Sequence, residues 1–206
     1  MRVVLATQNR GKLLELRRIL GAEPSLVSFD IELVGAGDVP GAPEVAETGV
    51  TFAANALLKA HALAAHTGWP AVADDSGLCV DALGGDPGVR SARWAGEPSD
   101  DAANLALVLS QLADVPAGRR GAHFACAAAV VVPGVGERVV EATMAGQVIA
   151  VPRGTGGFGY DPAFVPTGER RTTAEMPPEE KDAISHRGKA FRALATVFAD
   201  LLRGAT

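Results

Sequence analysis

The chain has 206 residues, 48% of them hydrophobic and 21% charged, which is enough to bury one substantial core in a single domain spanning 1–206. A net charge of −5 with no basic stripe interleaved with aromatics excludes a surface that attracts nucleic acid as a whole, so an anionic ligand must be met by a local cluster. The longest apolar runs fall far short of the roughly 20 residues that cross a bilayer, and the N-terminus lacks the apolar segment and cleavage site of a secretory signal; the expectation is a cytoplasmic protein with no membrane partner.

In chain order, an apolar strand is predicted over 3–6, then a polar turn and a helix over 12–20 with Leu13, Leu16 and Leu20 on one face. A second helix, capped by Thr51, runs to His66 and closes at Gly68. A short strand over 71–73 follows, and Pro98-Ser99-Asp100-Asp101 starts a helix that continues to Leu112. Two long strands over 123–132 and 138–151 are joined by the hairpin signal Pro133-Gly134-Val135-Gly136. A glycine-rich stretch leads to an apolar segment over 163–165, and the chain closes with a helix over 185–202. Helices mixed with crossover-linked and hairpin-linked strands imply an α/β protein with a mixed sheet.

The turn Thr7-Gln8-Asn9-Arg10-Gly11-Lys12 lies between strand and helix, where backbone N–H groups and a lysine can hold phosphate. It is not a Walker-type loop, because the first glycine is missing and Leu13 stands where the magnesium-binding hydroxyl belongs. Read alone, its usual reading is a plain surface turn with a solvated lysine. Asp74 and Asp75 come directly after the strand over 71–73, a position where open α/β sheets carry ligands, and adjacent acids there call for a cation. Magnesium needs one or two carboxylates beside phosphates and waters, so Asp75 with one further acid suffices. The competing reading is a type I turn with capping carboxylates. Asp75-Ser76-Gly77 also matches the aspartic-protease signature, but such enzymes need two of these loops in a β-rich chain.

The run Gly154 to Gly159 satisfies GxGxxG but precedes a strand rather than a helix, so it lacks the dinucleotide context. Within it Phe158 can stack on a base, and Asp161, beside Gly159 and Tyr160, can accept from a base or sugar donor. Lys181, His186 and Arg187 form a basic cluster suited to carbonyl oxygens or phosphates. No cysteine or second histidine lies near His186, which disfavours zinc, and Ser185 beside it is a helix cap rather than a nucleophile. Cys79 and Cys126 read as small core residues.

Six motifs together carry a resemblance: Thr7 to Lys12 with Glu15, Glu47-Thr48-Gly49-Val50-Thr51-Phe52 with Asn55, Ala73-Asp74-Asp75-Ser76-Gly77-Leu78, Leu83-Gly84-Gly85-Asp86-Pro87-Gly88, Phe158-Gly159-Tyr160-Asp161-Pro162, and Lys181 with Ser185-His186-Arg187. In this order the chain resembles the noncanonical purine NTP pyrophosphatase family, the inosine triphosphatases. The resemblance implies a two-lobed fold with a long curved mixed sheet flanked by helices, a cleft between the lobes, and a homodimer. It implies that Asp75, with Mg2+, is the proton acceptor that activates water. Thr7, Gln8, Asn9, Arg10, Gly11, Lys12, Ser76, Phe158, Gly159, Tyr160, Asp161, Lys181, His186 and Arg187 are implied substrate contacts. Glu47 is implied as a metal ligand alongside Asp75, although Ala46 departs from the pattern and Glu44 lies slightly upstream.

The expected activity is hydrolysis of ITP, dITP and XTP between the α- and β-phosphates, giving monophosphate and pyrophosphate and clearing the nucleotide pool. Donors from Lys181, His186 or Arg187 aimed at a 6-oxo group would oppose the amino group of adenine. The alternative is a nucleotide sensor without turnover, against which the paired acids argue because they weaken anion binding unless a metal is recruited.

Overall fold

The computed structural model describes residues 1–204, and the strand-turn-helix opening forms as β1 (Arg2–Leu5) and α1 (Arg10–Gly21). The helix starts two residues before its apolar periodicity because Asn9 caps it: the Asn9 side chain accepts from the Lys12 N–H at 3.0 Å. β2 (Glu32–Gly35) follows, a four-residue strand whose large apolar residues are Leu33 and Val34 alone. α2 (Phe52–Thr67) has the expected limits, with Thr51 accepting from the Ala54 N–H and Gly68 ending the helix.

The strand predicted over 71–73 is in fact β3 (Ala71–Val80), so Asp74 and Asp75 lie inside a strand rather than after its end, and the type I turn is ruled out. Aspartate, serine and glycine are poor strand formers, but β3 sits between β1 and β4 in the sheet, where neighbours satisfy its backbone. α3 (Asp101–Gln111) starts at the Asp100 cap, as expected. The long hairpin is β4 (Gly121–Val132) and β5 (Gly136–Val148), the latter ending three residues short of the prediction. β6 (Phe164–Pro166), the unpredicted α4 (Pro178–Ile184) and α5 (His186–Gly204) complete the chain. Among the described residues no helix is long and apolar enough to cross a membrane.

The strand order is β2-β1-β3-β4-β5-β6. β1 runs parallel to β2 and β3, while β5 and β6 are antiparallel, which makes the sheet mixed, as expected. The chain packs as two compact units. The first holds Met1–Asp75, Cys126–Ala142 and the chain from Arg187 onward. On one face of its strands, Val3, Leu5 and Val72 pack with Leu16 and Ile19 of α1 and Phe191, Leu194 and Phe198 of α5. On the other, Val4, Ala71 and Ala73 pack with Ala56, Ala60 and Leu63 of α2. Each fully buried Leu or Phe contributes roughly 1.5–3 kcal/mol, so these slabs anchor whatever the strands carry. The second unit holds Ser76–Ala125 and Thr143–His186, with a core of Leu78, Val80, Val108, Leu112, Phe124, Met144 and Phe164.

Candidate active site

Side chains on a strand alternate between faces, and in β3 this separates the two acids. Asp74 follows Val72 toward α1 and α5, and Asp75 follows Ala71 and Ala73 toward α2. Asp74 Oδ2 accepts from Lys12 Nζ at 3.1 Å and from Arg187 Nε at 3.4 Å. Arg187 also donates through Nη1 to Glu15 Oε2 at 2.5 Å, closing a chain of buried charges that ties the first turns of α1 and α5 to the strand. Burial alone would push the Asp74 carboxyl up; Lys12 and Arg187 outweigh it and hold the group well below the usual carboxylate range. Arg187 is likewise kept charged, since Asp74 and Glu15 overcome the effect of its burial.

Asp75 has different company. Its Oδ2 accepts from Asn55 Nδ2 at 3.0 Å, and its Oδ1 lies 3.7 Å from Lys59 Nζ. Lys59 also donates to Glu47 Oε1 at 2.7 Å, so one ammonium bridges two carboxylates. The Asn55 side chain in turn accepts from the Gly49 N–H at 2.7 Å, fixing the 47–49 segment beside the strand. Burial raises the proton affinity of Asp75, and nearby Glu47 adds to it against the opposing pull of Lys59 and Lys12. Glu44, the other acid of this segment, is exposed, whereas Glu47 is half-buried and turned to Lys59.

This arrangement can hold a hard divalent cation. Two carboxylates already gather around one cation, and among the described residues no cluster of three or more His, Cys, Asp or Glu forms an all-protein cage. A hard cation that keeps most of its positions for phosphate and water matches such a donor set. The polar turn completes this side: the Asn9 N–H donates to Thr7 Oγ1 at 3.2 Å, Gln8, Asn9 and Arg10 are exposed, and the first-turn amides of α1, where Gly11 lies, have no intrahelical partner.

The second unit gathers the remaining motif residues. Asp161 is 3% exposed and its carboxylate accepts from Lys181 Nζ at 2.6 Å, Thr173 Oγ1 at 2.7 Å and the Phe158 N–H at 2.9 Å. Three of its roughly four acceptor positions are therefore taken within the protein. Lys181 Nζ also sits 5.2 Å from the centroid of the Phe158 ring, a cation–π distance. Gly157 allows the loop to close, since at its φ of 72° a Cβ would collide with the Asp161 carboxylate. His186 stacks on Phe124, ring centroids 4.8 Å apart and planes 9° from parallel. Tyr160 is buried, its hydroxyl donating to the Ser91 carbonyl at 2.7 Å. Ser76, half-buried on β3, opens this unit.

The predicted residues thus fall into two groups: Lys12, Asp75, Glu47 and Arg187 with the polar turn in the first unit, and Phe158, Gly159, Tyr160, Asp161, Lys181 and His186 in the second. Lys59, Thr173 and Phe124 were not singled out from sequence. For Lys59 a signal existed, because it is the only Lys, Arg, Asp or Glu between Phe52 and Thr67. Thr173 and Phe124 lie among ordinary residues and carry none.

A mixed-sheet α/β protein that splits an acid pair across one strand and holds a separate aromatic, lysine-aspartate cluster defines a narrow class. The chain belongs to the Ham1 family, whose model matches residues 3–197. A dITP/XTP pyrophosphatase of Streptomyces coelicolor is 62% identical over 201 residues, covering 98% of each chain. A HAM1 protein of Coxiella burnetii of known structure superposes with a TM-score of 0.83 at 39% identity, over 97% of this chain and 99% of that one. The structure of a nucleoside-triphosphatase / dITP/XTP pyrophosphatase from Mycobacterium abscessus matches at 53% identity and a TM-score of 0.74, over 94% and 98%. The family resemblance carried by the six motifs and the α/β fold are both borne out.

Proposed function

We propose that this chain hydrolyses noncanonical purine nucleoside triphosphates, dITP, XTP and ITP, to the monophosphate and pyrophosphate, clearing them from the nucleotide pool. The observation that carries the reading is the division of labour on β3: Asp74 is locked between Lys12 and Arg187, while Asp75 faces Glu47, Asn55 and Lys59 on the opposite face. The names of the relatives from Streptomyces coelicolor and Mycobacterium abscessus support the same substrate class.

Water adds at phosphorus, the anhydride bond between the α- and β-phosphates breaks, and pyrophosphate leaves. Asp75 orients the attacking water and accepts its proton. Lys12 and the N–H groups at the start of α1 bind phosphate oxygens, and Lys59 adds positive charge between Glu47 and Asp75. Glu47 and Asp75 would hold Mg2+, which when bound neutralises phosphate charge and acidifies water. Phe158 offers a flat face to the purine, and donors on Lys181 and His186 favour a 6-oxo group over the amino group of adenine. The family resemblance further supports a homodimer, for which light scattering in solution is the direct measure.

The test is pyrophosphate release with magnesium across dITP, XTP, ITP, ATP and GTP. Release from the first three at rates at least about a hundredfold above ATP is expected, since a buried donor opposed by a donor discriminates strongly. Binding of ITP with no release would instead leave a nucleotide sensor.

A further inference from the structure

Of the six motifs, the run Leu83 to Gly88 is the one for which the reaction has no use, nor for the segment that follows it up to α3. The segment reaches the loop that carries Phe158 and Asp161, and Gly88 is tied to the segment through Ser91. Ser91 Oγ accepts the Leu78 N–H at 2.9 Å and donates to the Gly88 carbonyl at 2.6 Å, while the Ser91 carbonyl receives the Tyr160 hydroxyl at 2.7 Å. Gly77 lets these pieces close, since a Cβ there would overlap both the Gly88 carbonyl and Ser91 Oγ. One serine therefore ties β3 just beyond Ser76, the turn at Gly88 and the loop at Tyr160.

Ten residues on, Asp101 makes a second attachment. Its Oδ2 accepts the Gly159 N–H at 2.9 Å across 58 residues of sequence. Helix capping does not account for this carboxylate, because Asp100 already receives the Ala102 and Ala103 N–H groups at 2.9 and 3.0 Å. The loop is thus gripped at two successive residues, Gly159 and Tyr160, by one stretch of chain. It needs the grip: Gly154, Gly156, Gly157 and Gly159 give it a large conformational entropy to lose, and the part not lost on folding is lost on binding.

We infer that Asp101 and Ser91 are positioning residues that hold the 157–161 loop in the conformation that presents Phe158 to the purine. This rests on the proposed function for its purpose, though not for its geometry. Pre-ordering a loop reduces the entropy lost on binding and leaves untouched the groups that act on phosphate. Asp101→Ala therefore raises KM for dITP, XTP and ITP by a common factor of about five to ten while kcat stays within about twofold.

The experiment pairs this kinetic split with hydrogen exchange of the Gly159 amide, measured by NMR on the full chain. Asp101 is exposed, so its variants fold, whereas Ser91→Ala strands a buried N–H and is the less safe probe. Asp101→Ala is expected to speed exchange at Gly159 by about threefold to tenfold, and Asp101→Asn, which keeps an acceptor oxygen, to restore both exchange and KM. Unchanged exchange in Asp101→Ala overturns the inference, as does a fall in kcat at constant KM, or an Asn variant indistinguishable from Ala. If the wild-type chain releases no pyrophosphate from any of these nucleotides, the functional reading fails alone, and the grip is decided by exchange.

Discussion

The first unit holds its charged motif residues in networks along one strand, whereas the second sets its motif residues among aromatic rings. In the first, Glu15, Arg187, Asp74 and Lys12 form one run of charges, and Glu47, Lys59 and Asp75 form another on the opposite side of the same strand. In the second, the buried pair Lys181 with Asp161 has the Phe158 ring and the Thr173 hydroxyl beside it. Opposed carboxylates beside ammonium groups suit a reaction in which phosphate charge shifts between oxygens. Stacking faces and neutral hydrogen bonds suit selection of a base. The contrast predicts that substitutions in the first unit change turnover or stability for every substrate alike, and those in the second change affinity or preference.

The largest effect is expected at Asp75. Asp75→Asn keeps the size of the side chain and its contact with Asn55 but removes the proposed proton acceptor, so kcat should fall by about 10²–10⁴-fold. Nucleotide binding, read by calorimetry, should remain measurable. Turnover near wild type would break the assignment of chemistry to this face of β3.

Arg187 sharpens the comparison because sequence assigns it to the base cluster and the structure lays it against Asp74 and Glu15. Arg187→Ala leaves two buried carboxylates short of their cation, a change that typically costs about 3–5 kcal/mol of stability. Denaturant titration should show that loss. Residual activity should be reduced by one factor for ITP and ATP; a selective loss of ITP hydrolysis would return Arg187 to the base.

That the contacts of Arg187 are illegible in the sequence while the acid pair stands out is a matter of range. The polar turn, the acid pair and the glycine-rich loop announce themselves through residues adjacent in sequence, and the caps at Thr51 and Asp100 through local hydrogen bonding. The partners of Arg187 lie 113 and 172 residues away, and nothing local selects them. Lys59 reaches Asp75 from a helix onto a strand, which no periodicity encodes. β3 was cut short because Asp-Asp-Ser-Gly has the composition of a turn, and only its neighbours in the sheet make it a strand. β2, with Leu33 and Val34 as its only large apolar residues, and α4, whose charged run Glu179 to Asp182 carries no apolar stripe, give neither period anything to register.

In the second unit the larger effect belongs to Phe158. Phe158→Ala removes a stacking face and should weaken binding of any purine triphosphate by about 1–3 kcal/mol. ITP and ATP should suffer equally, because every base has a face to stack. A shift in the ITP-to-ATP ratio of kcat/KM would mean that the ring reads an edge.

The smallest effect, and the most discriminating, is expected from Phe124. Its ring lies flat on His186 at 4.8 Å and is tilted by 57° against Phe164 at 4.6 Å, so it fixes the plane in which the imidazole can donate. His186 is 4% exposed, and the donor proposed for it would discriminate between an oxygen and an amino group only while its direction is kept. Phe124→Leu preserves an apolar neighbour but not a flat one. It should lower the ITP-to-ATP ratio of kcat/KM by about threefold with kcat for ITP little changed, as expected where one hydrogen bond loses its alignment rather than its donor. His186→Ala, which removes the donor itself, should lower the same ratio further. If Phe124→Leu left the ratio intact while His186→Ala reduced it, the stack would be packing only, and the imidazole would be oriented from its own helix. If neither moved the ratio, selection of the 6-oxo group would fall to Lys181, whose ammonium already lies between Asp161 and the Phe158 ring.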